Sequence, residues 1–338
     1  MKLSLGFSLV ILFINFAAYA DVKLFTLRPS KSHLEYLIPV REGYRFIDEL
    51  NLYKNSIRDN SDLSSAVTIE QLEQFKLGQV RELNNERISQ VLILANRGLD
   101  LGMPPDVGGQ ARIKKLSEKL SNSTSLVVMP LAIGIHLNDS DRIDLYEKIS
   151  LNFSGVIALG GADVSPDLYN EENSRSRDIN LTRDKFEIEF LKHWIKKDKG
   201  FLYGICRGHQ LIAVALGFKL IQHIDSHGDK EWENHKIIFQ ETRYNIFKKI
   251  FNTKLLSIRV NSYHHQAVQF SNHNPEIELA AVATDGVAES LVSKDGRIFT
   301  TQFHPEFMNG FFSKRFFSYL NNKFKGGVNM SCQHLFRQ

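Results

Sequence analysis

A cysteine, a histidine and a glutamate in this chain have the spacing of a nucleophilic unit. Phe201-Leu202-Tyr203-Gly204-Ile205-Cys206-Arg207-Gly208-His209-Gln210 reads as a buried strand, a turn and a helix start, with glycines two residues either side of Cys206. Leu211, Val214, Ala215 and Leu216 continue the helix. A side chain at the tip of such a turn projects from the sheet edge, on a strained backbone that small neighbours permit. The helix start also offers N–H groups without intrahelical acceptors and a positive dipole end, which favour thiolate over thiol. Further on, Ile298 to Phe303 is strand-like and leads into His304-Pro305-Glu306. Proline holds the preceding residue extended, so positions i and i+2 share a face and His304 and Glu306 lie on the same side. A cysteine nucleophile needs a base within reach and a third group to orient that base. Cys206, His304 and Glu306 fill those roles.

Gly-Ile-Cys-Arg-Gly-His-Gln followed by His-Pro-Glu resembles the class I glutamine amidotransferase superfamily. Three further segments narrow the resemblance to the γ-glutamyl-γ-aminobutyrate hydrolases and their γ-glutamyl hydrolase relatives. They are Gly160-Gly161-Ala162-Asp163-Val164-Ser165-Pro166, Arg183-Asp184-Lys185-Phe186-Glu187, and Val260-Asn261-Ser262-Tyr263-His264-His265-Gln266-Ala267-Val268. The resemblance runs from about Val91 to about Tyr319. Leu159, Asn180, His209 and Phe303 depart from the pattern, where proline, aspartate, methionine and tryptophan are usual.

The resemblance implies an α/β fold with a mainly parallel central sheet flanked by helices, flavodoxin-like in plan. It implies an oxyanion hole made by the N–H groups of Gly161 and Arg207. It sets Gly160, Gln210, Ser262, His264 and His265 against the substrate, the last three in a loop expected to be exposed. Arg183, Asp184 and Glu187 read either as a salt-bridged structural group or as substrate contacts. The adjacent histidines lack a ligand-spaced partner set, so no metal is expected, and the implied reaction requires no cofactor.

Alternating elements support that plan. Strand runs at 91–95, 126–131, 155–159 and 201–205 alternate with helical stretches at 112–120, 142–149 and 183–196, the pattern of a parallel sheet. Later strands near 237–239, 279–282, 288–292 and 298–303 read as a meander, with a hairpin turn at Lys294-Asp295-Gly296-Arg297. Residues 21–88 read as an N-terminal helical extension, from a helix around 42–57 and another of about 20 residues opening at a Thr68/Gln71 capping box. The hydrolase domain is set at 89–325 and a polar tail at 326–338.

Lys2, the apolar run Leu3 to Phe16 and Ala18-Tyr19-Ala20 form a secretory signal over residues 1–20, so the chain is expected in a periplasm, secreted, or in a eukaryotic lumen. No membrane span is expected after signal cleavage. With 42 basic and 38 acidic residues, dispersed, the composition gives no nucleic-acid footprint. The two cysteines, Cys206 and Cys332, are too few for a disulfide framework, so Cys206 reads as reactive and Cys332 as incidental. The expected function is an exported cysteine hydrolase that cleaves γ-glutamyl amide or isopeptide bonds through a glutamyl thioester, its partner a small γ-glutamyl compound. The alternatives are a glutaminase subunit that supplies ammonia to a synthase, and a non-enzymatic binding protein on the same scaffold. Leaving group and oligomeric state are not legible.

Overall fold

The computed structural model describes residues 21–29, 34–64, 72–73, 78–84, 90–94, 109–120, 124–197, 200–225, 227–228, 234–252 and 255–332. The expected signal segment and the expected Thr68/Gln71 capping box lie outside them. The strands are β1 (Val22–Pro29), β2 (Glu35–Arg41), β3 (Gly78–Glu82), β4 (Gln90–Leu94), β5 (Ser125–Met129), β6 (Gly155–Ala158), β7 (Phe201–Ile205), β8 (Lys219–Ile221), β9 (Asn234–Phe239), β10 (Ser257–Asn261), β11 (Ala267–Gln269), β12 (Ile277–Ala283), β13 (Ala288–Ser293) and β14 (Ile298–Thr301). The helices are α1 (Phe46–Asp59), α2 (Ser61–Ser64), α3 (Gly109–Lys119), α4 (Asp139–Asn152), α5 (Leu181–Lys196), α6 (Arg207–Ala215), α7 (Ile246–Phe251) and α8 (Gly310–Cys332).

Apolar runs buried on both faces form the centre of the sheet. Val91, Leu92, Ile93, Val127, Val156, Ile157 and Leu202 are all buried, the pattern of strands covered by helices on both sides. Six strands, in the order β2-β5-β4-β6-β7-β14, pair in parallel. Antiparallel wings complete one sheet of 14 strands among the described residues: β1 and β3 beside β2, the meander of β13, β12, β9 and β10 beside β14, and β11 with β8 branching from β13. The fold is therefore mixed α/β around a parallel core, as expected.

The N-terminal segment differs from the expectation of a helical extension. Helix α1 forms as read, but residues 22–29 and 35–41 are strands of the main sheet, and β3 occupies part of the helix expected after Thr68. Val22, Leu24 and Thr26 are buried in β1 while Lys23 is exposed, an alternation of period two over the first five residues that overrides the local helical pattern downstream. At the other end, α8 continues through Gly326 and Gly327 to Cys332, where a polar tail was expected.

Strands β6, β7 and β14 run the same way, so the loops that leave their C-terminal ends share one edge of the sheet. In open α/β sheets this edge is where ligands bind.

Candidate active site

Cys206 sits between β7 and α6 with φ 51° and ψ −107°. A non-glycine residue held at positive φ stores strain of about 1–3 kcal/mol, which surrounding structure must enforce. Here the Cys206 N–H donates to Thr301 O at 2.8 Å, locking the turn to β14. Gly208 permits the close approach of α6: a Cβ there would lie 2.0 Å from Ala158 O in β6. The thiol is largely buried, with Sγ 3.8 Å from Tyr263 O.

His304 leaves β14 with φ −104° and ψ 86°, and Pro305–Phe307 then turns as a 3-10 helix. The pairing of His304 with Glu306 is thus closed by a turn and not by a continued strand. Nδ1 of His304 lies 2.7 Å from Glu306 Oε1, and both side chains are fully buried. Nε2 has no hydrogen-bond partner among the described residues. Burial alone would lower the pKa of His304, but the Glu306 carboxylate and Cys206 outweigh it and push it up to about 9. Asn261 grips the histidine backbone from both sides: its Nδ2 donates to His304 O and its Oδ1 accepts from His304 N, each at 2.8 Å.

Gly160 follows β6 and joins the pair. A Cβ built on it would lie 2.8 Å from His304 Cε1, 3.3 Å from Cys206 Cβ and 3.4 Å from Arg112 Nη1. The imidazole, the cysteine and a guanidinium therefore meet around one bare backbone position. Gly160→Ala is expected to push the imidazole off its line to the thiol and cut turnover by about 100-fold with folding retained. Steady-state kinetics beside circular dichroism would check this; unchanged turnover would contradict the arrangement.

Gly161 lies three residues beyond the last residue of β6, and Arg207 is the first residue of α6. The Arg207 side chain turns into the protein, where Nη2 donates to Asp184 Oδ1 at 2.5 Å and Glu187 Oε2 at 2.6 Å. Arg183 adds Nε and Nη2 contacts to Asp184 Oδ1 at 2.9 and 2.6 Å, and Asp184 Oδ2 accepts from Ser165 N at 2.8 Å. Of the two readings of this motif, the buried ionic group is the one observed; it joins α5, α6 and the loop after Gly161.

The remaining residues expected at the substrate divide. Gln210 donates to Gln266 O and Gln302 Oε1, both at 3.1 Å. Ser262 donates to His227 O at 2.8 Å, and His264 Nδ1 lies 2.9 Å from Gln266 O. All three are buried, and for Ser262 and His264 this corrects the expectation of an exposed loop: its polar groups find internal partners. Tyr263 is 43% exposed, and His265 is half-buried with Nε2 2.9 Å from Asp163 Oδ2 and Nδ1 3.2 Å from His223 Nδ1. His265 therefore ties the loop after β10 to the loop after β6. Arg112, Asn261 and Tyr263 were missed as site residues. Asn261 and Tyr263 stand inside a recognised motif, whereas nothing local marks Arg112 off from an ordinary helical arginine.

The departures from the family pattern fit locally. Asn180 caps α5 by accepting from Arg183 N at 2.9 Å. His209 lies 2.7 Å from Thr300 Oγ1, and burial pushes its pKa down to about 3, which keeps it neutral. Phe303 packs among Phe312 and Phe316.

Residues 106–306 match the family described as Peptidase C26. The chain is similar to protein NtpR of Enterococcus hirae, 34% identical over 45% of this chain and 66% of that one. It is 30% identical to a protein of Rickettsia prowazekii named as glutamine amidotransferase-like, RP404, over 56% of this chain and 82% of that one. The chain spans just under two thirds of the first curated relatives, 64% to 66% of their length. A solved glutamine amidotransferase from Thermotoga maritima aligns with a TM-score of 0.41 at 18% identity, over 70% of this chain and 84% of that one.

Proposed function

Because the chain belongs to the Peptidase C26 family, whose match supports a hydrolase or amidotransferase scaffold, we propose that it hydrolyses γ-glutamyl amide or isopeptide bonds with Cys206 as nucleophile. One observation carries this reading: His304, held by Glu306 at Nδ1, meets Cys206 across Gly160 with Nε2 left without a partner among the described residues. The Cys206 thiolate attacks the γ-carbonyl carbon, and the oxyanion is held by the N–H groups of Gly161 and Arg207. The imidazolium of His304 gives its proton to the leaving amine as the C–N bond breaks, leaving a glutamyl thioester. Neutral His304 then takes a proton from water, which attacks the thioester and releases glutamate and the free thiol. Glu306 fixes the tautomer and orientation of His304 throughout.

Arg112 supplies the cation that a glutamyl α-carboxylate requires, since its guanidinium borders the same space as the thiol and imidazole. Arg112→Ala is expected to raise KM about 10-fold or more with a smaller change in kcat. An unchanged KM would remove Arg112 from substrate recognition.

Export belongs to this proposal through the signal segment at residues 1–20. Rapid-quench mass spectrometry during turnover tests the chemistry: one glutamyl group should appear on the peptide that contains Cys206. Turnover with no adduct, persisting in Cys206→Ala, would overturn it. The names of several relatives favour a second reading, a glutaminase that feeds a partner, which glutamine as sole substrate would support.

A further inference from the structure

Four side chains distant in sequence converge behind the loop that carries Tyr263. Glu289 of β13 is fully buried, and three imidazoles face its carboxylate. His235 Nε2 lies 3.0 Å from Glu289 Oε1, His264 Nε2 3.6 Å and His227 Nδ1 3.7 Å. The ligand atoms of His227, His235 and Glu289 all lie within 4.8 Å of one another. Glu289 Oε2 and His264 Nε2 are buried with no hydrogen-bond partner among the described residues.

The outward nitrogens of His227 and His264 are held in a way that matters for the inward ones, whereas His235 Nδ1 is buried without a hydrogen-bond partner among the described residues. His227 Nε2 lies 2.7 Å from Asp285 Oδ2, and His264 Nδ1 lies 2.9 Å from Gln266 O. A ring N–H donated outward to a carboxylate or a carbonyl leaves the other nitrogen with its lone pair, here directed at Glu289. Lone pairs facing a carboxylate repel it unless a cation lies between them. Nitrogen and oxygen ligands bound at about 2.0–2.2 Å in a tetrahedron stand about 3.3 Å apart, close to the 3.0, 3.6 and 3.7 Å between the three imidazoles and Glu289 Oε1.

We propose that His227, His235, His264 and Glu289 form a zinc site. Three imidazoles and one carboxylate suit zinc, and a set of four protein ligands makes the site structural. Bound zinc pins the segment from Asn261 to Gln266 onto β13. That segment carries the Asn261 side chain that grips His304 and the Tyr263 carbonyl beside the thiol. The sequence hid this set because the ligands are spread from position 227 to position 289 with no compact spacing.

The test uses the untagged full chain, stripped with a chelator, reloaded with Zn²⁺ or Co²⁺ and dialysed against metal-free buffer. We expect one zinc per chain by elemental mass spectrometry, and a tetrahedral ligand-field absorption with Co²⁺. Cys206→Ala should keep the metal, which separates this site from the thiol. His235→Ala should weaken zinc affinity about 100-fold or more, and Asp285→Asn, which alters only the partner of a ligand, about 10- to 100-fold. Asp285 is about half exposed and His235 partly so, and circular dichroism checks that both variants fold. No zinc above the dialysis background, or wild-type affinity in both variants, would overturn the proposal. Neither result depends on glutamate release, so the site and the hydrolase reading fail separately.

Discussion

Cys206→Ala should lower turnover of any accepted γ-glutamyl substrate by about 10⁴-fold or more, and His304→Ala by a similar factor. The two residues act as one unit, so the double variant should be no worse than either single one. The geometry gives the reason: the imidazole that meets the cysteine across Gly160, close enough for Cys206 to help raise its pKa, is the group that can take and return the thiol proton. Because the pKa of His304 is raised to about 9, the imidazolium that protonates the leaving amine persists through neutral pH. The acylation rate should fall as pH rises through about 9, as that proton is lost. The same raised pKa makes His304 stabilise the fold below its ordinary value of 6.5, a contribution lost as pH climbs through about 9. Cys206→Gly should be inactive too, yet more stable than Cys206→Ala by about 1–2 kcal/mol, because glycine accepts the positive φ without strain. Initial rates and thermal melts of the two variants check both statements; equal stability would argue against a strained turn.

Asp184→Ala should cost about 3–5 kcal/mol of folding stability. Asp184 is fully buried and accepts from Arg183, Arg207 and Ser165 N. Its removal leaves two buried guanidinium groups with only part of their counter-charge. Glu187 still faces Arg207, but burial already pushes the Glu187 carboxyl up, so it is a weak substitute. Activity should fall as well, since this group braces both the turn at Arg207 and the loop after Gly161. Urea unfolding measures the effect, and a loss under about 1 kcal/mol would mean that the group relaxes more easily than its burial implies.

The parallel core and the turn at Cys206 are legible because their signals are local. Strand β7 is an apolar run of five residues, and the turn after it is marked by Gly204 and Gly208, which the close approach of α6 to Ala158 demands. His304 and Glu306 were legible as partners, although a 3-10 turn brings them together and the extended spacing does not. The N-terminal strands escape a sequence reading because the downstream helical pattern outweighs the short alternation in residues 22–26. Ser262 and His264 read as exposed because a polar motif carries no sign of burial, and Gln210 reads as a substrate contact. Their partners, His227, Gln266 and Gln302, come from loops and strands that only the folded sheet brings near. Arg112 is a similar case, since its place beside Gly160 depends on how α3 lies over the sheet edge.

The most direct test of the central claim is glutamate release by the purified protein under reducing conditions, with Cys206→Ala alongside. The substrates would be γ-glutamyl-γ-aminobutyrate, γ-glutamyl dipeptides, a folate polyglutamate and free glutamine. Release from at least one γ-glutamyl compound, abolished in the variant, is the expected result and names the leaving group. Release from glutamine alone, or release that survives the loss of Cys206, would contradict the account.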